Sequence, residues 1–136
     1  MTTRRRGREV ALQMLFQFDG SELSPDAVIK LYRLCFGEGP LPDEFSIALF
    51  HAVAAEIGPL DAVIEESSQN WRLDRMSIVD RNILRIGVCE IMNSDDIPAR
   101  VAINEAVELA KRYGTKDSPS FVNGILDRVA RDKQRL

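Results

Sequence analysis

The chain has 136 residues, of which 18 are Lys or Arg and 21 are Asp or Glu, giving a net charge of -3 at neutral pH. This length fits one domain able to bury a core without metal or disulfide staples, and the apolar runs are too short for a membrane span or a signal peptide, which predicts a cytoplasmic protein. The net negative charge argues against an indiscriminate nucleic-acid binder.

The positive charge of the chain is unevenly distributed. Arg4, Arg5, Arg6 and Arg8 supply four of the 18 basic residues, so the remainder carries 14 positive against 21 negative charges, a net of -7. A basic N-terminal tip on an acidic body indicates a local anion-binding site rather than a general polyelectrolyte surface.

Prolines and glycines divide the chain into apolar-striped segments, because proline is tolerated in the first turn of a helix and glycine is favoured just after its end. They predict seven helices: about Thr3 to Asp19, Pro25 to Gly37, Pro42 to Gly58, a segment from Pro59, Ile78 to Asn93, a segment from Pro98 to Gly114, and Ser118 to about Arg131. Between the second and third, residues 39–42 form the loop expected to be most irregular. Alternating strand patterns are absent from the sequence, so the predicted fold class is all-α.

The fifth segment, Ile78 to Asn93, is apolar around most of its circumference. A helix of this kind must be covered on nearly every side, which places it at the centre of a helical bundle. Ser77 followed by Asp80 predicts its N-terminal cap, and Gly87 inside it suggests a neighbour packed close to the backbone.

Residue types that carry catalysis do not converge in this sequence. His51 is the only histidine, and the paired carboxylates resemble solvated faces and turns. Cys35 and Cys89 lie far apart among apolar neighbours, which predicts two reduced core thiols rather than a disulfide or metal site. We therefore expect no enzymatic activity, no cofactor and no bound metal.

The arginine-rich opening is the one stretch that suggests a ligand. Guanidinium groups pair with phosphates and stack on bases. On the helical wheel, Phe16 lies on the same side of the first helix as Arg5. An aromatic ring combined with arginines is typical of single-stranded RNA binding. The alternative from the residues alone, a solvated helix N-terminus with Phe16 packed against a neighbouring helix, is equally open at this point.

Three blocks of the sequence resemble the signatures of the NusB family of bacterial transcription antitermination factors. They are RRRGREVALQMLFQFD, NWRLDRMSIVDRNILRIGVCEI and VAINEAVELAKRYGTKDSPSFVNGILDRVAR, and together they run from Arg4 to Arg131. The resemblance implies one helical domain over residues 1–136, built as two small orthogonal subdomains, about 1–73 and 74–136, that share the central helix.

The resemblance also implies a function. Members of the family pair with the ribosomal protein NusE, bind boxA-type RNA and help RNA polymerase, with other Nus factors, to read through terminators, notably in ribosomal RNA operons. Phe16 stands where relatives often have a tyrosine. Carried over by position, the implied RNA-binding residues are Arg4, Arg5, Arg6, Arg8, Phe16, Asp117, Ser118 and Phe121.

Two alternatives to a constitutive RNA-binding partner of NusE remain open at this stage. One is a self-associating helical protein whose RNA-binding surface is occluded in a homodimer. The other is a stand-alone relative of the RNA-binding domain of ribosomal RNA cytosine methyltransferases, although 136 residues leave no room for a catalytic domain.

Overall fold

The computed structural model describes residues 3–35, 42–69 and 72–136, and this part of the chain contains helices and no β-strand. The all-α prediction is therefore confirmed, as are the seven helices. They are α1 (Arg4–Phe18), α2 (Pro25–Cys35), α3 (Glu44–Ala55), α4 (Ile57–Ser67), α5 (Ile78–Asn93), α6 (Ala99–Tyr113) and α7 (Ser118–Asp132), with a short 3-10 helix at Leu73–Arg75.

Two helix boundaries differ from the predicted ones for reasons of capping. Helix α3 begins at Glu44 rather than Pro42, because Asp43 and Ser46 cap it: Asp43 Oδ1 accepts a hydrogen bond from Ser46 N at 2.9 Å, and Ser46 Oγ accepts one from Asp43 N at 2.8 Å. The chain breaks at Glu56 instead of Gly58, and Pro59 lies within the first turn of α4, where it costs no hydrogen bond. The predicted helix end at Gly37 and residues 39–41 of the predicted loop lie outside the described residues.

The fold divides into two compact units, Met1–Ala55 and Glu56–Leu136. In the first unit, α1 packs against α3 and α2. In the second, α5, α6 and α7 pack on one another and α4 packs on α5 and α7. The predicted subdivision near residue 73 falls inside the second unit, and the single-domain organisation of residues 1–136 stays a prediction.

Helix α5 forms the core of the second unit, as its apolar circumference predicted. Every residue from Asn82 to Ile91 is buried. The helix begins at the predicted cap, where Ser77 Oγ accepts a hydrogen bond from Asp80 N at 3.0 Å. A side chain at Gly87 would place its Cβ 2.5 Å from Leu126 Cδ1, so α7 does approach the α5 backbone closely.

A buried ion pair joins α4 to α5. Both nitrogens on one edge of the Arg85 guanidinium donate to Asp61, with Nε to Oδ1 at 2.7 Å and Nη2 to Oδ2 at 2.9 Å. Nη1 donates to Asn82 Oδ1 at 3.0 Å. A bidentate pair with a third partner satisfies the buried charge, which is the condition under which a buried ion pair is tolerated.

The two cysteines are free but only one belongs to the core. Cys89 is buried, and burial raises the pKa of its thiol, which therefore stays protonated at neutral pH. Cys35, the last residue of α2, is exposed, so the prediction of a core thiol was wrong at that position. Its apolar neighbours in sequence do not shield it because it ends the helix.

The helices of the described segments differ individually from membrane-spanning helices in length and composition. No single helix among them is long and apolar enough to cross a membrane. Helices α3 and α4 reach that length and composition only when taken together as a bent pair.

Candidate nucleic-acid interface

The N-terminus of α1 presents a cationic tip, which we call the arginine tip and define as Arg4, Arg5, Arg6 and Arg8. The helix is capped by Thr3, whose Oγ1 accepts a hydrogen bond from Arg6 N at 3.1 Å. Arg4, Arg5 and Arg6 are exposed, and the first turn of α1 contains no acidic residue. Cations in the first turn oppose the helix dipole, so local helix stability does not explain their presence.

The four arginines are not equivalent. Arg6 forms an ion pair with Glu9 at 3.5 Å, and its side chain remains 46% exposed. Arg4 and Arg8 both place their guanidinium carbon over the ring of Phe45, at 5.4 and 5.3 Å from its centroid. Arg8 is only 3% exposed. RNA contact by Arg8 stays a prediction, and it would require the guanidinium to leave this buried position.

Phe16 offers an open aromatic surface on the same helix. It is 50% exposed, whereas Leu12, its neighbour on the helical wheel, is 3% exposed and belongs to the core. Eleven residues separate Phe16 from Arg5, which places the two on one helix face roughly 16 Å apart along the axis. The ring is available for stacking and lies about three turns from the arginine tip.

The predicted residues at the start of α7 line a cavity in the second unit, which we call the α5–α7 pocket. Its volume is about 220 Å³. That is the space of roughly seven water molecules at ~30 Å³ each, enough for one planar heterocycle. The lining residues are Arg75, Met76, Ser77, Asp80, Thr115, Asp117, Ser118 and Phe121.

Ser118 contributes to this pocket as a structural residue. It is 1% exposed, its Oγ accepts a hydrogen bond from Thr115 N at 2.9 Å, and it lies 3.2 Å from Thr115 Oγ1. A serine before a proline is typical of an N-cap, but here Asp117 occupies the N-cap position of α7 and Ser118 is its first helical residue. The hydroxyl of Ser118 thus fixes the turn between α6 and α7 instead of capping the helix.

Two carboxylates give the pocket hydrogen-bond acceptors. Asp117 is exposed and makes no side-chain capping bond to α7. Asp80 Oδ1 is buried and accepts no hydrogen bond from the described residues. A buried carboxylate oxygen without a donor is energetically costly.

Sequence reasoning found three of the pocket residues and missed Arg75 and Asp80 as site residues. Asp80 was identified only as part of the α5 cap, and Arg75 lies in the 3-10 helix before it. The local sequence does not identify Arg75 and Asp80 as site residues, because they approach α7 only through the packing of α5 against α7. The arginine tip with Phe16 belongs to the first unit and the pocket belongs to the second.

Residues suited to metal binding do not assemble in the described segments. No group of three or more His, Cys, Asp or Glu side chains there is arranged to hold a metal ion. His51 lies at the surface with its Nε2 at 3.4 Å from Asp26 Oδ1. The chemistry of the two candidate regions is that of phosphate pairing, base stacking and hydrogen bonding.

Comparison with known proteins places the chain in a family. The NusB family model matches residues 5–131. The transcription antitermination protein NusB of Sorangium cellulosum is 44% identical over 137 residues, covering 100% of this chain and 97% of that protein.

Solved structures agree with the sequence comparison. T. maritima NusB matches with a TM-score of 0.82 at 34% identity, covering 98% of this chain and 96% of that one. A chain in a crystal structure of the antitermination factors NusB and NusE in complex with dsRNA matches with a TM-score of 0.79 at 23% identity, covering 96% of this chain and 99% of that one. At that identity the second likeness concerns the fold alone.

Proposed function

The chain belongs to the NusB family, and on that premise we propose that it is an RNA-binding transcription antitermination factor. It pairs with the ribosomal protein NusE on boxA-type RNA and acts, together with the other Nus factors, on RNA polymerase in the cytoplasm, notably in ribosomal RNA operons. Its work is binding rather than catalysis. The 44%-identical NusB of Sorangium cellulosum is a transcription antitermination protein, and a NusB of the same fold has been solved in complex with NusE and dsRNA.

The observation that carries the proposal is the exposed part of α1. Three solvent-accessible arginines and a half-exposed phenylalanine share this helix, in a chain whose remainder is acidic. Arginine guanidiniums form bidentate hydrogen bonds with phosphates, and a base can stack on an exposed aromatic ring. Cations at a helix N-terminus oppose the helix dipole, and a bound phosphate backbone would offset that unfavourable interaction.

The α5–α7 pocket, in the second unit, is a separate proposed RNA-binding region. Phe121 provides a ring face, while Asp80 and Asp117 provide acceptors for the amino group of a base. Arg75 adds a donor and a positive charge on the same wall. We infer that one unstacked base of the RNA enters this pocket, which would give the site base preference in addition to phosphate affinity.

A pair of charge-matched double variants tests the role of the arginine tip. Arg5→Ala with Arg6→Ala removes two exposed cations from the tip. Lys30→Ala with Arg33→Ala removes two exposed cations from α2 in the same unit. We expect the first pair to weaken binding of boxA RNA roughly 10- to 100-fold, because charge-assisted hydrogen bonds are lost, and the second to change it little.

The salt dependence of the same titrations identifies phosphate contacts. For single-stranded RNA, the slope of log affinity against log salt should become shallower by about 1.4 in the tip variant, about 0.7 for each phosphate contact removed. Equal losses in the two variants would indicate a general charge effect. Unchanged affinity in the tip variant would remove the arginine tip from the RNA site.

A further inference from the structure

The ring of Phe45 lies directly against the arginine tip. Phe45 is on α3, and a Cβ at Gly7 of α1 would lie 2.6 Å from its Cδ2, so the ring rests on the α1 backbone where a side chain is absent. The guanidiniums of Arg4 and Arg8 lie 5.4 and 5.3 Å from its centroid. One ring therefore contacts two cations and the backbone between them.

The contact of one ring with two guanidinium groups has a physical explanation. Arg4 and Arg8 stand four residues apart on one helix face, where like charges repel, and both cations oppose the helix dipole. The negative face of an aromatic ring attracts guanidinium groups within about 6 Å of its centroid. The ring of Phe45 thus offsets part of an unfavourable local charge arrangement at this helix end.

The position of the ring is itself fixed by the cap of α3. Phe45 stands between Asp43 and Ser46, which hydrogen-bond each other's backbone N–H groups at 2.9 and 2.8 Å. Ser46 is fully buried. The ring is consequently held by a rigid helix start rather than by a loop.

We propose that Phe45 is a positioning residue that holds the arginine tip in the geometry in which it binds RNA. The inference rests on the proposed function. It adds a residue that does not itself bind phosphate. Arg8 and Gly7 belong to the same arrangement. Arg8 holds the tip against the ring, and Gly7, which has no side chain, lets the ring approach the helix backbone. Arg5 and Arg6 remain exposed for the RNA.

The test uses three replacements of Phe45 in the full chain. Phe45→Leu removes the ring face, Phe45→Tyr keeps it, and a ring-fluorinated phenylalanine keeps the shape while depleting the negative face. We expect Phe45→Leu to weaken boxA RNA binding roughly three- to tenfold, the fluorinated ring to weaken it by less, and Phe45→Tyr to stay near the unmodified protein. Phe18→Leu is the matched control, since the ring of Phe18 packs on Phe50 at 5.7 Å, at the other end of α1.

Coupling between variants separates positioning from simple packing. Phe45→Leu should cost less RNA affinity in an Arg4→Ala background than in the unmodified chain, because the ring acts through that arginine. A packing role alone would give equal losses in both backgrounds. Equal losses, or the same weakening by Phe45→Tyr as by Phe45→Leu, would overturn the proposal.

Hydrogen exchange without RNA distinguishes failure of this inference from failure of the proposed function. The amides of Gly7 to Val10 should exchange faster in Phe45→Leu and at the ordinary rate in Phe18→Leu. Faster exchange with no boxA binding by the unmodified protein would refute the proposed function and leave Phe45 as an anchor of the helix alone. Unchanged exchange alongside normal RNA binding by Phe45→Leu would refute the positioning role.

Discussion

Arg8 and Arg5 have the same side chain and lie in the same motif, yet they occupy opposite environments. Arg8 is 3% exposed and lies against Phe45, whereas Arg5 is exposed. The charge run could be predicted from the sequence, because it is local. The burial of Arg8 could not, because it depends on a ring contributed by another helix.

Ser118 makes a similar point in the second unit. Its position before a proline is typical of a helix cap, whereas its hydroxyl accepts a hydrogen bond from Thr115 N within the turn. Asp80 was identified only as a cap residue, and it also lines a pocket formed with α7. Local chemistry predicted the residue types at the site, and only tertiary packing determined which atoms were accessible.

The pocket makes a prediction at the residue scale. Phe121→Leu should weaken RNA binding roughly tenfold, because base stacking on an aromatic ring is lost while much of the apolar volume remains. Met76→Leu, on the same pocket wall and nearly volume-conserving, is the control and should change affinity little. Titration of boxA RNA measures both. Similar losses of RNA affinity in the two variants would show that binding depends on the shape of the pocket rather than on the aromatic ring.

At the scale of the elements, the packing of α5 against α7 depends on a glycine. A Cβ at Gly87 would meet Leu126 Cδ1 at 2.5 Å, while one at Gly124, on α7, would meet no heavy atom within 4 Å. The sequence predicted a close neighbour at Gly87 but could not identify it as Leu126. The two glycines should therefore respond to alanine in opposite directions.

Gly87→Ala should lower the free energy of unfolding by about 1 kcal/mol, because overpacking costs ~1–3 kcal/mol and outweighs a gain of ~1 kcal/mol in helix propensity. Gly124→Ala should raise the free energy of unfolding by ~0.5–1 kcal/mol, since only the propensity gain applies. Urea unfolding of both variants provides the measurement. Stabilisation by Gly87→Ala would contradict the close approach of α7.

The ion pair between α4 and α5 gives a second prediction at this scale. Asp61→Ala leaves the Arg85 charge buried without its carboxylate, and we expect a loss of about 3 kcal/mol in the free energy of unfolding. The control is Asp127→Ala, which breaks an exposed pair with Arg131 on α7 and should leave the unfolding midpoint unchanged. An equally small effect of Asp61→Ala would show that the buried pair is replaceable by solvent.

Element order and type could be predicted from the sequence because the apolar stripes and the proline and glycine positions are local signals. The start of α3 and the break at Glu56 could not, because a capping box at Asp43 and a proline tolerated in the first turn of α4 decided them. The exposure of Cys35 was missed for the same kind of reason, since it depends on where α2 ends.

On the scale of the whole molecule, the distribution of charge explains why a partner is useful. The chain has a net charge of -3, so only its exposed cationic residues attract RNA. A small site of this kind binds weakly and with strong salt dependence. A second RNA-binding protein docked beside it extends the contact and raises the affinity through effective concentration.

The most direct test of the account is a titration of the protein with boxA RNA and with a scrambled RNA of equal length, with and without NusE. We predict tighter binding of boxA than of the scrambled RNA, and a further increase for boxA when NusE is present. Equal affinity for both RNAs, unaffected by NusE, would contradict the proposal that this helical scaffold presents a specific RNA site completed by its partner.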